Sequence, residues 1–343
     1  MKGIPPRVLR RAVLAPVILA SEVVLILISP VLLALAVLAS PFFGAWRPLR
    51  MLAIVLSFVV HHIIASIACL GLWFRSGFGR RLGTEPMQRA HYAVLCWFVA
   101  GIYATVVRLA HVNVRVSESS EVEEALSQAR RPVIVLSRHA GEGDTLLMLE
   151  HLIGRYDRRP RTVMNEALRL DPLIDVLGDR LPNRFVDPRG GDTEVEIAAL
   201  ASDLDDRDAV LIFPEGGNFS ERRRQKGIER LEGAGLVEEA EWARSMRHMS
   251  APRPGGALAA IASAPKADIV FAGHIGFPSS LGEVWRLLPH DQTVEVRLWM
   301  AAEGELPAGH DERIDWLFGW WRTLDAWVAE RHGAEASARR VAR

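Results

Sequence analysis

Two long apolar runs near the amino terminus constrain this chain more than any other feature. Residues 12–39 are apolar except for Ser21, Glu22 and Ser29, with Pro16 and Pro30 inside, and residues 51–74 form a second run interrupted by His61 and His62. Each exceeds the about 20 helical residues that cross a bilayer core, so the pattern predicts a pair of membrane helices. A cleaved signal peptide is disfavoured, because the first run is longer than the usual ~7–15 apolar residues and a second follows. The link from Ser40 to Pro48 holds Pro41 and Gly44 as well, which suits a helical-hairpin turn.

Orientation follows from the cations. Lys2, Arg7, Arg10 and Arg11 precede the first run, Arg47 and Arg50 lie in or beside the link, and Arg75, Arg80, Arg81 and Arg89 follow the second run. The positive-inside rule then puts both ends of the hairpin in the cytoplasm. A multi-pass protein of the cell (inner) membrane is expected, with the remaining chain facing the cytoplasm. Glu22 is costly in lipid and is expected near the interface or facing protein. A third apolar stretch, Tyr92 to Val107, is shorter and richer in aromatics. A third crossing would carry the rest of the chain outside, so an interfacial or core-packed helix is expected there.

The chain carries 41 Lys+Arg against 41 Asp+Glu, a formal net charge of zero. That balance argues against nucleic-acid binding, which leans on excess cationic charge. Cys69 and Cys96 both lie in apolar segments, and neither a zinc pattern nor a disulfide framework is present. Beyond Arg115, short apolar runs alternate with amphipathic ones. Strands are expected at Val133–Leu136, Thr162–Met164, Arg184–Asp187, Ala209–Phe213 and Ile269–Ala272, with an alternating edge strand at Val294–Met300. Helices are expected at Glu121–Arg130, Thr193–Leu204, Gly256–Ala264 and Ile314–Val328, and an irregular segment around Pro172 and Pro182. Strands separated by helices predict an α/β layer fold with a mostly parallel central sheet flanked by helices. The expected domains are membrane-anchoring helices over 1–111, a catalytic domain over 112–301, and a C-terminal amphipathic helix with a basic tail over 302–343. Four tryptophans in that last helix suit packing on the domain, with a membrane-surface helix as the alternative.

Chemistry-bearing residues gather where apolar strands end. Val133–Leu136 leads into Ser137-Arg138-His139, and Asp144 follows five residues after the histidine. Open α/β sheets do their chemistry at the carboxyl edge of their strands. Phe213-Pro214-Glu215-Gly216-Gly217 ends another strand, and its glycines let backbone approach a ligand closely. Arg184 to Arg189 carries two arginines at a third strand end, and Pro252-Arg253 forms a rigid turn ahead of a helix; both suit an anion. His310 to Asp315 repeats the His–Asp spacing without a preceding strand or a glycine-rich partner, and is set aside as a coincidence. No G-x-S-x-G elbow is present, which disfavours a serine hydrolase.

Taken in order, these stretches resemble the glycerolipid acyltransferases that acylate 1-acylglycerol 3-phosphate. The likeness rests on the HxxxxD block at His139–Asp144, the FxxR-like block at Phe185–Arg189, FPEG at Phe213–Gly216, and Pro252-Arg253. His248 ahead of Pro252-Arg253, and Leu306-Pro307, Trp316-Leu317 and Trp321–Asp325, look closest to the branch containing lysocardiolipin acyltransferases. The similarity covers roughly Arg131 to Trp327. It implies a glycerolipid-acyltransferase-like fold and a membrane-bound O-acyltransferase. Such an enzyme moves a fatty acyl group from acyl-CoA or an acyl carrier protein thioester to a lysophospholipid hydroxyl. It implies His139 as general base, Asp144 as its orienting partner, Glu215, Gly216 and Gly217 at the acceptor pocket, and Arg184, Arg189 and Arg253 on phosphate. No metal and no cofactor beyond the thioester cosubstrate is implied. The bilayer, the acceptor lipid and the thioester are the expected partners, and no nucleic acid is. Two alternatives stay open: the same chemistry on another lysophospholipid or a glycolipid, and a membrane-anchored lipid-binding protein with a degenerate site. Arg138 stands where the family has asparagine, Gly217 where it has threonine, Pro188 where the block's arginine would align, and Asn165 near a frequent lysine.

Overall fold

The computed structural model describes residues 4–141, 143–187, 193–278, 280–290 and 293–341, with side chains as far as Gly333. It divides into two compact units, one of Met1–Asn113, Leu146–Glu196 and Gly282–Gln292, the other of Val114–Thr145, Ile197–Leu281 and Thr293–Arg343. Strands number seven among the described residues: β1 Asn113–Ser117, β2 Val133–Ser137, β3 Arg159–Asn165, β4 Arg184–Val186, β5 Asp208–Ile212, β6 Asp268–Ile275 and β7 Thr293–Met300. With helices between them, they make the α/β fold that the alternating pattern predicts.

Three long apolar helices dominate the first unit: α1 Arg7–Phe43, α2 Arg47–Arg75 and α3 Glu85–Ala110. All three are long and apolar enough to cross a membrane. α1 and α2 form the expected hairpin through a turn at Gly44, Ala45 and Trp46, whose φ angles of 70°, 49° and 57° are left-handed. One face of α1 is apolar and open along its length, with Leu27 and Leu38 at 72% and 68% exposure. In a protein free in water such a surface would be an aggregation liability, whereas lipid would cover it. Glu22 meets protein, as its cost in lipid requires, because its carboxylate lies 2.9 Å from Nδ1 of the buried His62. The other ring nitrogen of His62 is 3.3 Å from Asp171 Oδ1.

The segment around Pro172 is helical from Pro172 to Arg180, where the two prolines suggest irregular chain. Asp171 caps it, Oδ1 accepting from Ile174 N at 2.9 Å, and Pro172 fills a first-turn position where its missing N–H costs nothing. Leu173 and Leu177 of this helix, and Leu181 just past its end, pack with Ala65 and Cys69 of α2, with Tyr92, Leu95 and Phe98 of α3 around them. β3 and β4 pair in parallel within the same unit.

The second unit holds strands in the order β1-β7-β6-β2-β5. β2 runs parallel to both β5 and β6, while β7 is antiparallel to β6. β2 and β5 are buried at every residue, the expected pattern for parallel strands covered on both faces. β7 alternates, burying Val294, Val296 and Leu298 while Arg297 faces out. It is not the edge that its alternation suggests, because β1 lies beyond it. Two helices without a clear sequence signal, Glu221–Gly233 and Val237–Ser245, follow β5. The final helix starts at His310 and runs on to Val341, into the stretch expected as a basic tail, which is rich in alanine, glutamate and arginine. Leu317, Phe318, Trp321 and Leu324 are fully buried on it. Trp320 stacks on Phe271 of β6 at 4.3 Å, so the tryptophan stripe serves the core.

Candidate active site

His139 is placed by the way β2 ends. The ladder continues one step past the strand, Arg138 N donating to Ala272 O at 2.9 Å, and the chain then turns. Asp144 opens the next helix, its Oδ1 accepting from Thr145 N at 2.7 Å. Its Oδ2 accepts from Ala140 N at 2.9 Å and Gly141 N at 3.3 Å, and lies 2.9 Å from His139 Nδ1. Burial alone would push the Asp144 carboxyl up. The His139 hydrogen bond, the charges of His274 and His139 and the Gly141 amide outweigh it and hold the group below the usual aspartate value. An ionised Asp144 requires the proton on His139 Nδ1, which leaves Nε2 with its lone pair. Nε2 has no partner among the described residues, and the side chain is 21% exposed. The ring lies 4.4 Å from that of Phe213, which limits its tilt.

Glu215 sits behind this pair rather than in the open. It is buried, with Oε1 accepting from His139 N at 3.0 Å and Oε2 from Ser250 N at 2.9 Å. Burial pushes its carboxyl up to about 7, against the pull of those two amides and of Arg138. The FPEG turn therefore clamps the His139 turn to the 248–253 segment. Arg253 N donates to Pro214 O at 2.9 Å, a second tie between the same two segments.

Gly216 has φ +72°, and a side chain there would meet the Arg253 guanidinium at 3.2 Å. Arg253 therefore lies across the glycine turn while remaining exposed. Gly217 has φ +154°, and the space beside it is filled by the Arg223 guanidinium, whose Nη1 donates to Asn218 O at 2.9 Å. Two exposed arginines thus flank the turn; Arg223 carried no signal in the sequence beyond its run of neighbours.

Arg138 is buried. Nη2 donates to His248 O at 2.9 Å and Nη1 to His274 O, while Nε has no partner among the described residues. Burial pulls Arg138 below the ordinary arginine value, opposed by the charges of Glu215, Asp325 and Asp144. Asp325, from the final helix, accepts from Arg247 N at 3.1 Å and His248 N at 2.7 Å. His274, fully buried in β6, is 2.9 Å from Arg138 O and 3.8 Å from Asp144 Oδ2. Burial pushes it down to about 4, so it is neutral at ordinary pH. His274 is a support that a motif search passes over, since it is a lone polar residue inside an apolar strand, and Asp325 stands in the Trp321–Asp325 stretch of the family resemblance with no role attached to it.

Of the remaining sequence candidates, Arg184 lies in the first unit, exposed and 3.4 Å from Glu196. Arg189 lies outside the described residues. His310 and Asp315 are both exposed, and no hydrogen bond joins them among the described residues. Asn165 caps a short turn, accepting from Ala167 N at 2.9 Å.

No curated protein matches the chain. The family model described as Acyltransferase matches residues 112–262, a span that includes His139, Asp144, Glu215, Gly216 and Arg253. Over residues 112–262, less than half of the chain, the protein is similar to the glycerolipid acyltransferase family.

Proposed function

We propose that the protein is a membrane-bound O-acyltransferase that esterifies the free hydroxyl of a lysophospholipid, 1-acylglycerol 3-phosphate, to give phosphatidate. The acyl group comes from acyl-CoA or an acyl carrier protein thioester. The observation that carries this reading is the His139–Asp144 pair, with Nδ1 held at 2.9 Å and Nε2 open, on a strand end inside an acyltransferase-family segment.

His139 Nε2 takes the hydroxyl proton as the acceptor oxygen attacks the thioester carbonyl. A C–O bond forms, the C–S bond breaks, and the proton passes from Nε2 to the leaving thiolate. Asp144 stabilises the imidazolium between these steps, as in other His–Asp pairs. Glu215 keeps the His139 turn in register, and Gly216 and Gly217 leave room for the Arg253 and Arg223 guanidinium groups at the edge of the acceptor pocket. Arg253 binds the phosphate, and Arg184 and Arg189 complete the assignment from the motif. The domain over 112–301 works at the cytoplasmic face of the cell membrane, anchored by residues 1–111 and buttressed by the helix in 302–343. Acceptor and product both live in the bilayer, so anchoring turns the search for substrate into a two-dimensional one.

Arg223 filling the space beside Gly217, where the family has threonine, favours a second reading: the same chemistry on an acceptor with another head group. Purified protein in detergent, given several acyl thioesters and a panel of lysophospholipids, separates the two by product mass. Turnover should fall about 10²–10⁴-fold in a folded His139→Ala variant. Retention of the wild-type rate in that variant would overturn the mechanism, and no turnover of any acyl thioester by the wild-type protein would leave a lipid-binding protein.

A further inference from the structure

The first unit contains a cavity of about 580 Å³ lined by the amino-terminal part of α1, the carboxyl-terminal half of α2 and the helix Pro172–Arg180. That volume lies within the roughly 300–1,000 Å³ of sites that bury small ligands. Leu19, Ile67, Leu70 and Trp73 make apolar walls, and Arg7, Arg11 and Arg180 line the same space. The cavity includes none of the residues of the His139 site.

Its charges do not balance. Among the described residues, Arg7, Arg10, Arg11 and Arg169 share only two carboxylates, Asp175 and Asp179. Arg180 adds a further cation: Nη1 donates to Cys69 O at 2.6 Å and lies 3.1 Å from His91 Nε2. No carboxylate lies within ion-pair distance of Arg180 among the described residues. Burial, and after it the charges of Arg11 and Arg7, hold it below the ordinary arginine value. A half-buried guanidinium facing two others is destabilising unless an anion joins them. Ser66 Oγ, also on the cavity wall, is buried without a hydrogen-bond partner.

We propose that this cavity binds an anionic phospholipid of the bilayer, with its phosphate held by Arg180, Arg7 and Arg11 and one acyl chain along Leu19, Ile67, Leu70 and Trp73. A zwitterionic lipid brings its own cation and leaves the arginine excess in place. A water-soluble phosphate satisfies the arginines but leaves the apolar walls open. Only a ligand with both parts matches both surfaces, and α1 and α2 bring the cavity to where such ligands are.

Trp73 gives a direct readout. The full chain is reconstituted into phosphatidylcholine bilayers containing increasing fractions of phosphatidylglycerol brominated on its acyl chains, and fluorescence of the Trp73→Phe variant is subtracted to isolate Trp73. Quenching by brominated phosphatidylglycerol should reach half its maximum at about a tenfold lower mole fraction than by brominated phosphatidylcholine. Arg180→Gln should remove that difference, and so in part should Arg7→Gln, whose mostly exposed side chain makes misfolding an inadequate explanation. Equal quenching by the two lipids, or a preference unchanged in both variants, overturns the site. Neither measurement depends on acyl transfer, so the outcome is separate from the fate of the catalytic reading.

Discussion

Arg138 stands where the acyltransferases that this chain resembles have asparagine, and the structure gives it work. Its guanidinium joins two carbonyls, His274 O at the end of β6 and His248 O in the segment that also supplies Ser250 N to Glu215. Asparagine, the family's usual residue, is too short to reach both. Arg138→Met should take the donor from the buried His274 O and the half-buried His248 O, at up to about 1–3 kcal/mol for the first and less for the second. Arg138→Lys should recover less than half, since one ammonium does not reproduce a planar fork. Chemical denaturation of the three proteins in the same detergent checks the order, and an Arg138→Met protein as stable as wild type removes the bracing role. His274 predicts a pH effect. Its folded value of about 4 lies below the ordinary 6.5, so between these the unfolded chain binds the proton more tightly. Its contribution is complete above pH 6.5 and is lost as pH falls to about 4, roughly 3 kcal/mol over the window. Glu215, raised to about 7, acts in the opposite sense, favouring the folded state less as pH climbs from 4.5. Melting curves of wild type and His274→Gln share the Glu215 effect, so the gap between them should narrow toward pH 4. Parallel curves would count against the buried neutral imidazole.

At the scale of elements, what the sequence revealed follows the strength of its patterns. β2, β5 and β6 read directly because buried parallel strands are uninterrupted apolar runs. α1 and α2 read directly because nothing else in a chain looks like a bilayer-length run. The helix Pro172–Arg180 was hidden by its prolines, although Asp171-Pro172 is a helix start in chemical terms: an aspartate cap followed by a residue that needs no partner for a missing N–H. The amphipathic helices after β5 were hidden by their charge, since only Ile228 and Leu231 of the first are buried. For the site, His139 and Asp144 were legible because their spacing is local. Glu215 was legible as a motif residue, but its contacts to His139 N and Ser250 N were not, because they join segments 76 and 35 residues apart. Asp325 shows the same limit: it holds His248 N from the final helix, 77 residues on.

For the whole molecule, the open question is how α1, α2 and α3 meet the bilayer. Their lengths allow crossing, and the arginine distribution favours a hairpin with its link outside. Contacts within the first unit favour something else. At one end, Arg10 and Arg11 of α1 pair with Asp175, and Ala65 and Cys69 of α2 pack on Leu173 and Leu177. At the opposite end, beside the link, Phe43 meets Trp285, Arg47 Nε donates to Leu288 O at 2.7 Å, and His290 N donates to Ala110 O at 2.6 Å. Midway along, Asp171 reaches His62. No helix after Ala110 is long and apolar enough to cross a membrane among the described residues, and a chain that does not cross again keeps residues 171–181 and 285–290 on one side. A perpendicular hairpin would put these two segments on opposite sides, and would hold Asp171 and its polar backbone at membrane depth. Helices laid along one leaflet, with the open apolar face of α1 toward the lipid, satisfy every one of these contacts. Two single-cysteine proteins, Trp46→Cys at the link and Thr84→Cys beyond α2, made with Cys69 and Cys96 replaced, decide the matter in sealed vesicles of known orientation. A membrane-impermeant maleimide should label both from the same side, and the protein should still require detergent for extraction. Labelling from opposite sides would establish the crossing hairpin and mean that the contacts near the link do not form in the membrane.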